Sequence, residues 1–215
     1  MAYFPFYIEI TNKICVVIGG GRIAHRKIEI LAEFGTIIIV IAPRICEDIY
    51  MLQKTYAEKD IDGKQHIILR NREFIDEDIL EADFVVAATD NAVLNSHIST
   101  LCKINNKLVN VVDVKEECSF IFPSIIKKED LVVAISTGGN NPSIAAKMKQ
   151  DIEAIIPDYY EALIELLGQY REYIKNEVHT PENRKQIYQE LIHLAEVKKG
   201  NITTKEIHSV VKKYK

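Results

Sequence analysis

The chain has four cysteines, Cys15, Cys46, Cys102 and Cys118, but no Cys-x-x-Cys pair. They read as buried, reduced thiols, which excludes a zinc frame or a disulfide scaffold. No stretch reaches the roughly 18 consecutive apolar residues of a membrane span, and Met1 to Ile10 lacks a basic segment followed by an apolar one. A cytoplasmic protein is expected. The formal net charge of −4 supplies no broad cationic field, so a nucleic-acid partner is not expected. The six histidines, His25, His66, His97, His179, His193 and His208, show no His-Glu-x-x-His spacing, and no resident metal site is expected. Internal repeats and low-complexity segments are also missing.

What is present is ordinary globular material: 215 residues, 47% hydrophobic and 27% charged. The first half alternates β-branched runs with amphipathic stretches, the pattern of βαβ units around a buried parallel sheet. Strands are expected at Ile14–Ile18, Thr36–Ala42, His66–Leu69, Phe84–Ala88 and Leu108–Val112. Helices are expected over Arg22–Phe34, closed by Gly35, and over Ala92–Asn105. Two further strands are read at Phe120–Phe122 and Leu131–Ser136. A turn at Gly138-Gly139 then leads to a helix capped by Asn141 with Pro142 in its first position. Helical restarts at Pro157, at Thr180-Pro181 and at a capping box from Thr203 to Glu206 make the tail a small bundle, broken at Lys198–Asn201.

Gly19-Gly20-Gly21-Arg22-Ile23-Ala24 follows the first strand and opens the first helix, satisfying the G-x-G-x-x-A form of a dinucleotide-binding turn. Gly19 permits the tight turn, Gly21 lets backbone approach a pyrophosphate, and Ala24 lets the helix pack close on the strand. The helix start then offers N–H groups to phosphate oxygens. A tight βα turn that binds nothing is the plain alternative. The acid expected about 20 residues on, to hold the ribose, is missing; Ala42, Pro43 and Arg44 stand there. Arg44 reads either as a partner for the 2′-phosphate of NADP or as a solvated arginine. Backbone contacts at Pro43 and Arg44 would serve NAD equally well.

In an open parallel sheet ligands bind beyond the carboxyl ends of the strands, where Asp113 follows the fifth strand. Asp113 is the candidate catalytic base, with a turn cap as its competing account. Thr89 would lie beside the cofactor, and Asp90 is a candidate cap for the helix at Ala92. Ser136, Thr137, Gly138 and Gly139 precede a helix start and are candidates to cradle a substrate carboxylate, against a plain hairpin-to-helix turn.

Tyr3-Phe4-Pro5, Val17-Ile18-Gly19-Gly20-Gly21 with Ala24, Arg26 and Lys27, and Ala42-Pro43 resemble the precorrin-2 dehydrogenase family, the N-terminal region of sirohaem synthases. So do Ala87-Ala88-Thr89-Asp90, Asn110-Val111-Val112-Asp113, Ser119 to Ser124, and Ser136-Thr137-Gly138-Gly139 with Pro142-Ser143. Thr137 stands where many relatives carry serine, and Asn140-Asn141 replaces small hydroxylated residues. The resemblance covers Met1 to about Pro157, and the tail matches in length and character.

The resemblance implies an α/β protein in three parts: an NAD-binding Rossmann domain over 1–113, a dimerisation segment over 114–149 and a helical domain over 150–215. It implies NAD-dependent oxidation of precorrin-2 to sirohydrochlorin, on the way to sirohaem or cobalamin, by a homodimer. Gly19, Gly20, Gly21, Arg22, Ile23, Pro43, Arg44 and Thr89 would bind NAD, Asp113 would act as base, and Ser136, Thr137 and Gly138 would bind substrate. Some relatives also insert iron, which makes ferrous ion a candidate second substrate and Asp113 a candidate acceptor of pyrrole protons. The tetrapyrrole is anionic, so Lys115, Lys127, Lys128 and Lys147 are candidate contacts or simply solvated lysines. With the chain ending at Lys215, the methyltransferase domain of larger relatives is expected to be a separate protein. The rival readings are an NAD-sensing module without catalysis and a chelatase without redox activity.

Overall fold

The computed structural model describes residues 3–59 and 66–215. The chain divides into two units, Met1–Phe122 and Pro123–Lys215.

In the first unit, β1 (Ile14–Ile18), β2 (Ile37–Ile41), β3 (Ile67–Arg70), β4 (Phe84–Ala87) and β5 (Leu108–Val111) form one sheet in the order β3-β2-β1-β4-β5. Every pairing is parallel, with Ile14 opposite Ile37 and Cys15 opposite Phe84. This is a Rossmann sheet, and its order reverses between β1 and β4, where the carboxyl ends open a crevice. The five expected strands lie within one residue of these positions at each end. Helices α1 (Arg22–Glu33), α2 (Glu47–Lys59) and α3 (Ala92–Ile104) connect them.

Strands buried on both faces must be apolar throughout. Val17, Val40 and Val86 face Ala24, Ile28 and Leu31 of α1 on one side of the sheet. Val16, Ile39 and Val85 face Ile98 and Cys102 of α3 on the other. The inward stripe of α1 is thus Ala24, Ile28, Leu31 and Ala32, while Ile23 is 45% exposed. Helix α2, which the periodicity did not announce, buries Ile49 and leaves Tyr50 and Met51 exposed.

The strand expected at Phe120–Phe122 is not one. That segment runs beside β5 without a ladder: Ser119 N–H donates to the Val109 carbonyl at 2.7 Å, and Asn110 Nδ2 donates to the Phe120 carbonyl at 2.9 Å. It covers the edge of β5, which would otherwise present unpaired backbone. Its aromatic character serves packing, with Phe120 meeting Phe84 edge-on at 6.0 Å and Phe122 at 5.6 Å.

In the second unit, β6 (Ser124–Lys128) and β7 (Leu131–Ile135) form an antiparallel hairpin. Ile126 and Ile135 pack against Ala145 of α4 (Pro142–Ile155). Helices α5 (Tyr160–Gln169), α6 (Arg171–Glu177), α7 (Pro181–Lys198) and α8 (Thr204–Lys213) complete the bundle. Its core is Ile174, Val178, Ile187, Leu191, Ile207, Val210 and Val211. Lys199, in the left-handed region at φ 50°, and Gly200 end α7 at the expected break. All four cysteines are free, but only Cys15 and Cys102 are fully buried, while Cys46 and Cys118 are half-buried. Among the described residues no helix is long and apolar enough to cross a membrane.

Candidate active site at the carboxyl ends of the sheet

Gly19 ends β1 at φ 121°, in a region that L side chains rarely adopt, and a Cβ there would stand 2.2 Å from the Ala88 carbonyl oxygen. The first glycine therefore lets the β1 and β4 ends close on one another. Gly20 is required for a different reason, because a Cβ on it would lie 2.2 Å from the Arg44 carbonyl oxygen. Its own carbonyl accepts from Cys46 N–H at 2.8 Å, tying the glycine turn to the loop after β2.

Gly21 is exposed, and nothing lies within 4 Å of where its Cβ would be. It is the N-cap of α1, with no side-chain cap and no acid in the first turn. A helix start carries four N–H groups without intrahelical partners and the positive end of the dipole. Among the described residues no side chain caps that start, and Arg22 adds a cation. An anionic group such as a dinucleotide pyrophosphate fits the residues present.

Several residues named from the sequence are brought together here. Pro43 and Arg44 are exposed on the loop that Gly20 contacts. Thr89 follows β4, its N–H nitrogen 3.1 Å from a Cβ built on Gly19. The Thr89 hydroxyl is engaged locally: it lies 2.7 Å from Asn95 Oδ1 and accepts from Asn91 N–H at 3.2 Å. Asn95, buried on α3, also donates to the Thr89 carbonyl at 3.0 Å. The cap of α3 is Asn91, whose side chain accepts from Leu94 N–H at 3.1 Å, and not Asp90. Asp90 lies one residue before the position from which a side chain reaches the first-turn donors.

Asp113 lies just past β5, exposed, at φ 63°. Aspartate is one of the few residues that visit this left-handed region without large cost. The turn is pinned from below: Val112 N–H donates to the Ala87 carbonyl at 3.0 Å. The Cys118 thiol accepts from Val111 N–H at 3.1 Å and has the Val111 and Val114 carbonyls at 3.2 and 3.3 Å. Asn95 and Cys118 were not singled out for the site from sequence. An asparagine at helical spacing with Ile98 and Cys102, four residues after Asn91, was the available signal for the first; for the second there was none.

Ser136, Thr137 and Gly138 belong to the second unit, between β7 and α4. Their polar groups already serve the turn: Gly138 N–H donates to Ser136 Oγ at 3.0 Å, and Thr137 Oγ1 accepts from Asn141 N–H at 3.1 Å. Asn141 caps α4 as expected, accepting from Ile144 N–H at 3.1 Å. Of the four candidate lysines, Lys147 pairs with Asp151 on its own helix, Lys128 lies 3.8 Å from Asp158, and Lys115 stands 5.7 Å from the Tyr3 ring centroid.

A family model described as "Putative NAD(P)-binding" matches residues 6–124, more than half of the chain. The chain belongs to this NAD(P)-binding family. The matched span is the unit that carries the glycine turn and Asp113, so a nicotinamide dinucleotide is the ligand class for which that turn is built. Among curated proteins, the chain is 34% identical over 192 residues to the siroheme synthase of Nitrosospira multiformis, covering 89% of this chain and 40% of that protein. It is 36% identical over 189 residues to the siroheme synthase of Ruthia magnifica, covering 88% of this chain and 38% of the relative. The chain thus spans about two fifths of the length of these relatives. A solved structure of SirC, described as precorrin-2 dehydrogenase, matches at a TM-score of 0.76 and 20% identity over 99% of this chain and 98% of that one. That similarity shows the fold.

Proposed function

We propose that this protein is an NAD-dependent dehydrogenase that oxidises precorrin-2 to sirohydrochlorin. The observation that carries the reading is the uncapped start of α1 at the β1/β4 crevice in the same unit as Asp113, in a chain whose relatives are siroheme synthases.

The backbone of Gly19, Gly20, Gly21, Arg22 and Ile23 holds the pyrophosphate, Pro43 and Arg44 meet the adenosine ribose, and Thr89 lines the nicotinamide end. Bound NAD supplies the hydride acceptor. Asp113 would take the proton that accompanies loss of a hydride from the substrate and release it to solvent; a positioned base of this kind contributes roughly 10²–10⁴-fold. Ser136, Thr137 and Gly138 contact a substrate carboxylate. The strand end of β2, where an acid would hold a ribose 2′-hydroxyl, carries Ala42, Pro43 and Arg44 instead, and NAD is held there through backbone at Pro43 and Arg44. We assign 1–113 to cofactor binding, 114–149 to dimerisation and 150–215 to the helical part, and place the homodimer in the cytoplasm.

The test is turnover of enzymatically prepared precorrin-2 with NAD, followed as NADH formation and appearance of sirohydrochlorin. Asp113→Asn is the informative variant, because asparagine tolerates the left-handed backbone where alanine adds strain. It is expected to bind NAD normally and turn over roughly 100-fold more slowly; full activity would remove Asp113 from the role. Binding of NAD without turnover in the unaltered chain would return the sensing module. NADP in place of NAD decides the cofactor, ferrous or cobaltous ion decides metal insertion, and light scattering decides the dimer.

A further inference from the structure

Asn95 lies on the inward face of α3, 5% exposed, beside the buried Ile98, Ser99 and Cys102. A buried amide is costly unless its oxygen and nitrogen both find partners. Asn95 finds them all on one residue. Its Oδ1 accepts from the Thr89 hydroxyl at 2.7 Å and from Thr89 N–H at 3.3 Å, and its Nδ2 donates to the Thr89 carbonyl at 3.0 Å. The start of α3 does not need it, because Asn91 already supplies the cap.

The two backbone partners fix which way the amide points. A backbone N–H can only donate and a carbonyl can only accept, so the amide oxygen faces the first and the nitrogen the second. The Thr89 hydroxyl is thereby oriented as well. Its single proton goes to Asn95 Oδ1; the other acceptor that the chain offers it, the Asn91 carbonyl at 3.1 Å, is more distant. Asn91 N–H donates to the same hydroxyl at 3.2 Å and takes up one of its two lone pairs. What Thr89 has left to offer a ligand is one lone pair and no proton.

This oxygen stands at the crevice. Thr89 is half-buried, the second residue after β4, and Ala88 N–H beside it donates to the Ile18 carbonyl of β1 at 2.8 Å. The Thr89 nitrogen is also 3.1 Å from a Cβ built on Gly19.

We propose that Asn95 is a positioning residue that makes Thr89 a pure hydrogen-bond acceptor, so that the crevice selects a dinucleotide whose nicotinamide end presents an N–H donor, the carboxamide NH2. The proposal rests on the reading that Thr89 lines the nicotinamide end. A residue that merely anchored the β4 loop would affect every dinucleotide alike; one that sets the polarity of Thr89 affects only those that carry the donor.

The probe is 3-acetylpyridine adenine dinucleotide, which keeps the ring carbonyl of NAD and has a methyl in place of the NH2. Calorimetric Kd values for NAD and this analogue are compared in the full chain. The unaltered protein is expected to favour NAD by about threefold to tenfold, the worth of one hydrogen bond. Thr89→Val should bring the two affinities together through weaker NAD binding, and Thr89→Ser should keep them apart. Asn95→Leu, which releases the hydroxyl, should also erase the preference. Asn95→Asp, which when neutral presents the same acceptor and donor, should keep most of it. In the unliganded protein the Asn95 side-chain amide, followed by NMR, should exchange with solvent far more slowly than solvated asparagines do.

NAD bound no better than the analogue by the unaltered protein overturns this inference and leaves the cofactor reading standing. A preference that survives in Thr89→Val overturns it too, as does an equal weakening of both ligands in Asn95→Leu, which would mark Asn95 as structural. If Asn95→Leu does not fold, Thr89→Val and Asn95→Asp decide. Failure of the unaltered protein to bind NAD at all overturns both this inference and the cofactor reading beneath it.

Discussion

Helix starts in this protein are treated in two ways. Helices α3, α4, α7 and α8 each begin with a side chain that accepts from the first turn: Asn91, Asn141, Thr180 and Thr203. Helix α1 begins with a bare glycine and no first-turn acid, although Ala24, Ile28, Leu31 and Ala32 are buried against the sheet. A cap is worth about 1 kcal/mol relative to alanine. Leaving one out where the chain supplies caps elsewhere marks the start of α1 as a place for a ligand's oxygens. In the helical bundle α5 and α6 also start without a side-chain cap, but each carries an acid in its first turn, Glu161 and Glu172; the bundle is organised for stability, with a seven-residue core and a closed capping box.

The comparison can be attacked at both ends. Leu191, fully buried in the bundle, should be the costliest position: Leu191→Ala is expected to lose about 2–5 kcal/mol in denaturant unfolding. A loss under 1 kcal/mol would mean that the bundle core is not packed as described. Gly19→Ala strains a positive-φ position and drives a methyl into the Ala88 carbonyl, so a loss of about 2–4 kcal/mol is expected, with NAD binding lost alongside.

Gly21→Asp is the sharper probe. The backbone there, at φ −91°, suits any residue, and the added side chain meets open space. It would cap α1 as α3, α4, α7 and α8 are capped, so stability should change by only a few tenths of a kcal/mol. A carboxylate would then occupy the phosphate position, and NAD affinity should fall by about 100-fold, or roughly 2.7 kcal/mol. Titration calorimetry showing undiminished affinity would sink the claim that the open helix start receives the pyrophosphate.

The smallest effect belongs to the capping box. Thr203→Ala should cost about 1 kcal/mol. Lys198, followed by the Thr203 backbone and hydroxyl, holds the Glu206 carboxyl down to about 2, against an ordinary 4.5. A carboxyl depressed on folding contributes fully above its unfolded value and loses that contribution as pH falls from 4.5 toward 2. Glu206→Gln should therefore flatten that part of the acid dependence, which acid titration of the helical signal can check.

Much of this was legible beforehand, for identifiable reasons. Ile14–Ile18 and Phe84–Ala87 are buried on both faces, so their residues had to be apolar, and a run of β-branched residues announces such a strand in any context. Asn141-Pro142 and Thr203–Glu206 are local chemistry, complete within four residues. Phe120–Phe122 was misread because the apolar signal of a strand and that of a segment laid against a strand's edge are the same. Helix α2 escaped notice because its inward set, Ile49 with the half-buried Leu52 and Tyr56, is short and interleaved with the exposed Tyr50 and Met51.

The amino-acid sequence by itself determined the five strands of the first unit, the glycine turn and the caps at Asn141 and Thr203, since each depends on neighbours a few residues away. Only the tertiary structure decided that Gly20 clears the backbone of Arg44, that Asn95 engages Thr89, and that Lys27 turns inward over Phe122. Those relations join positions far apart along the chain, and no local pattern encodes a contact that exists only once a parallel sheet has brought its carboxyl ends to one edge.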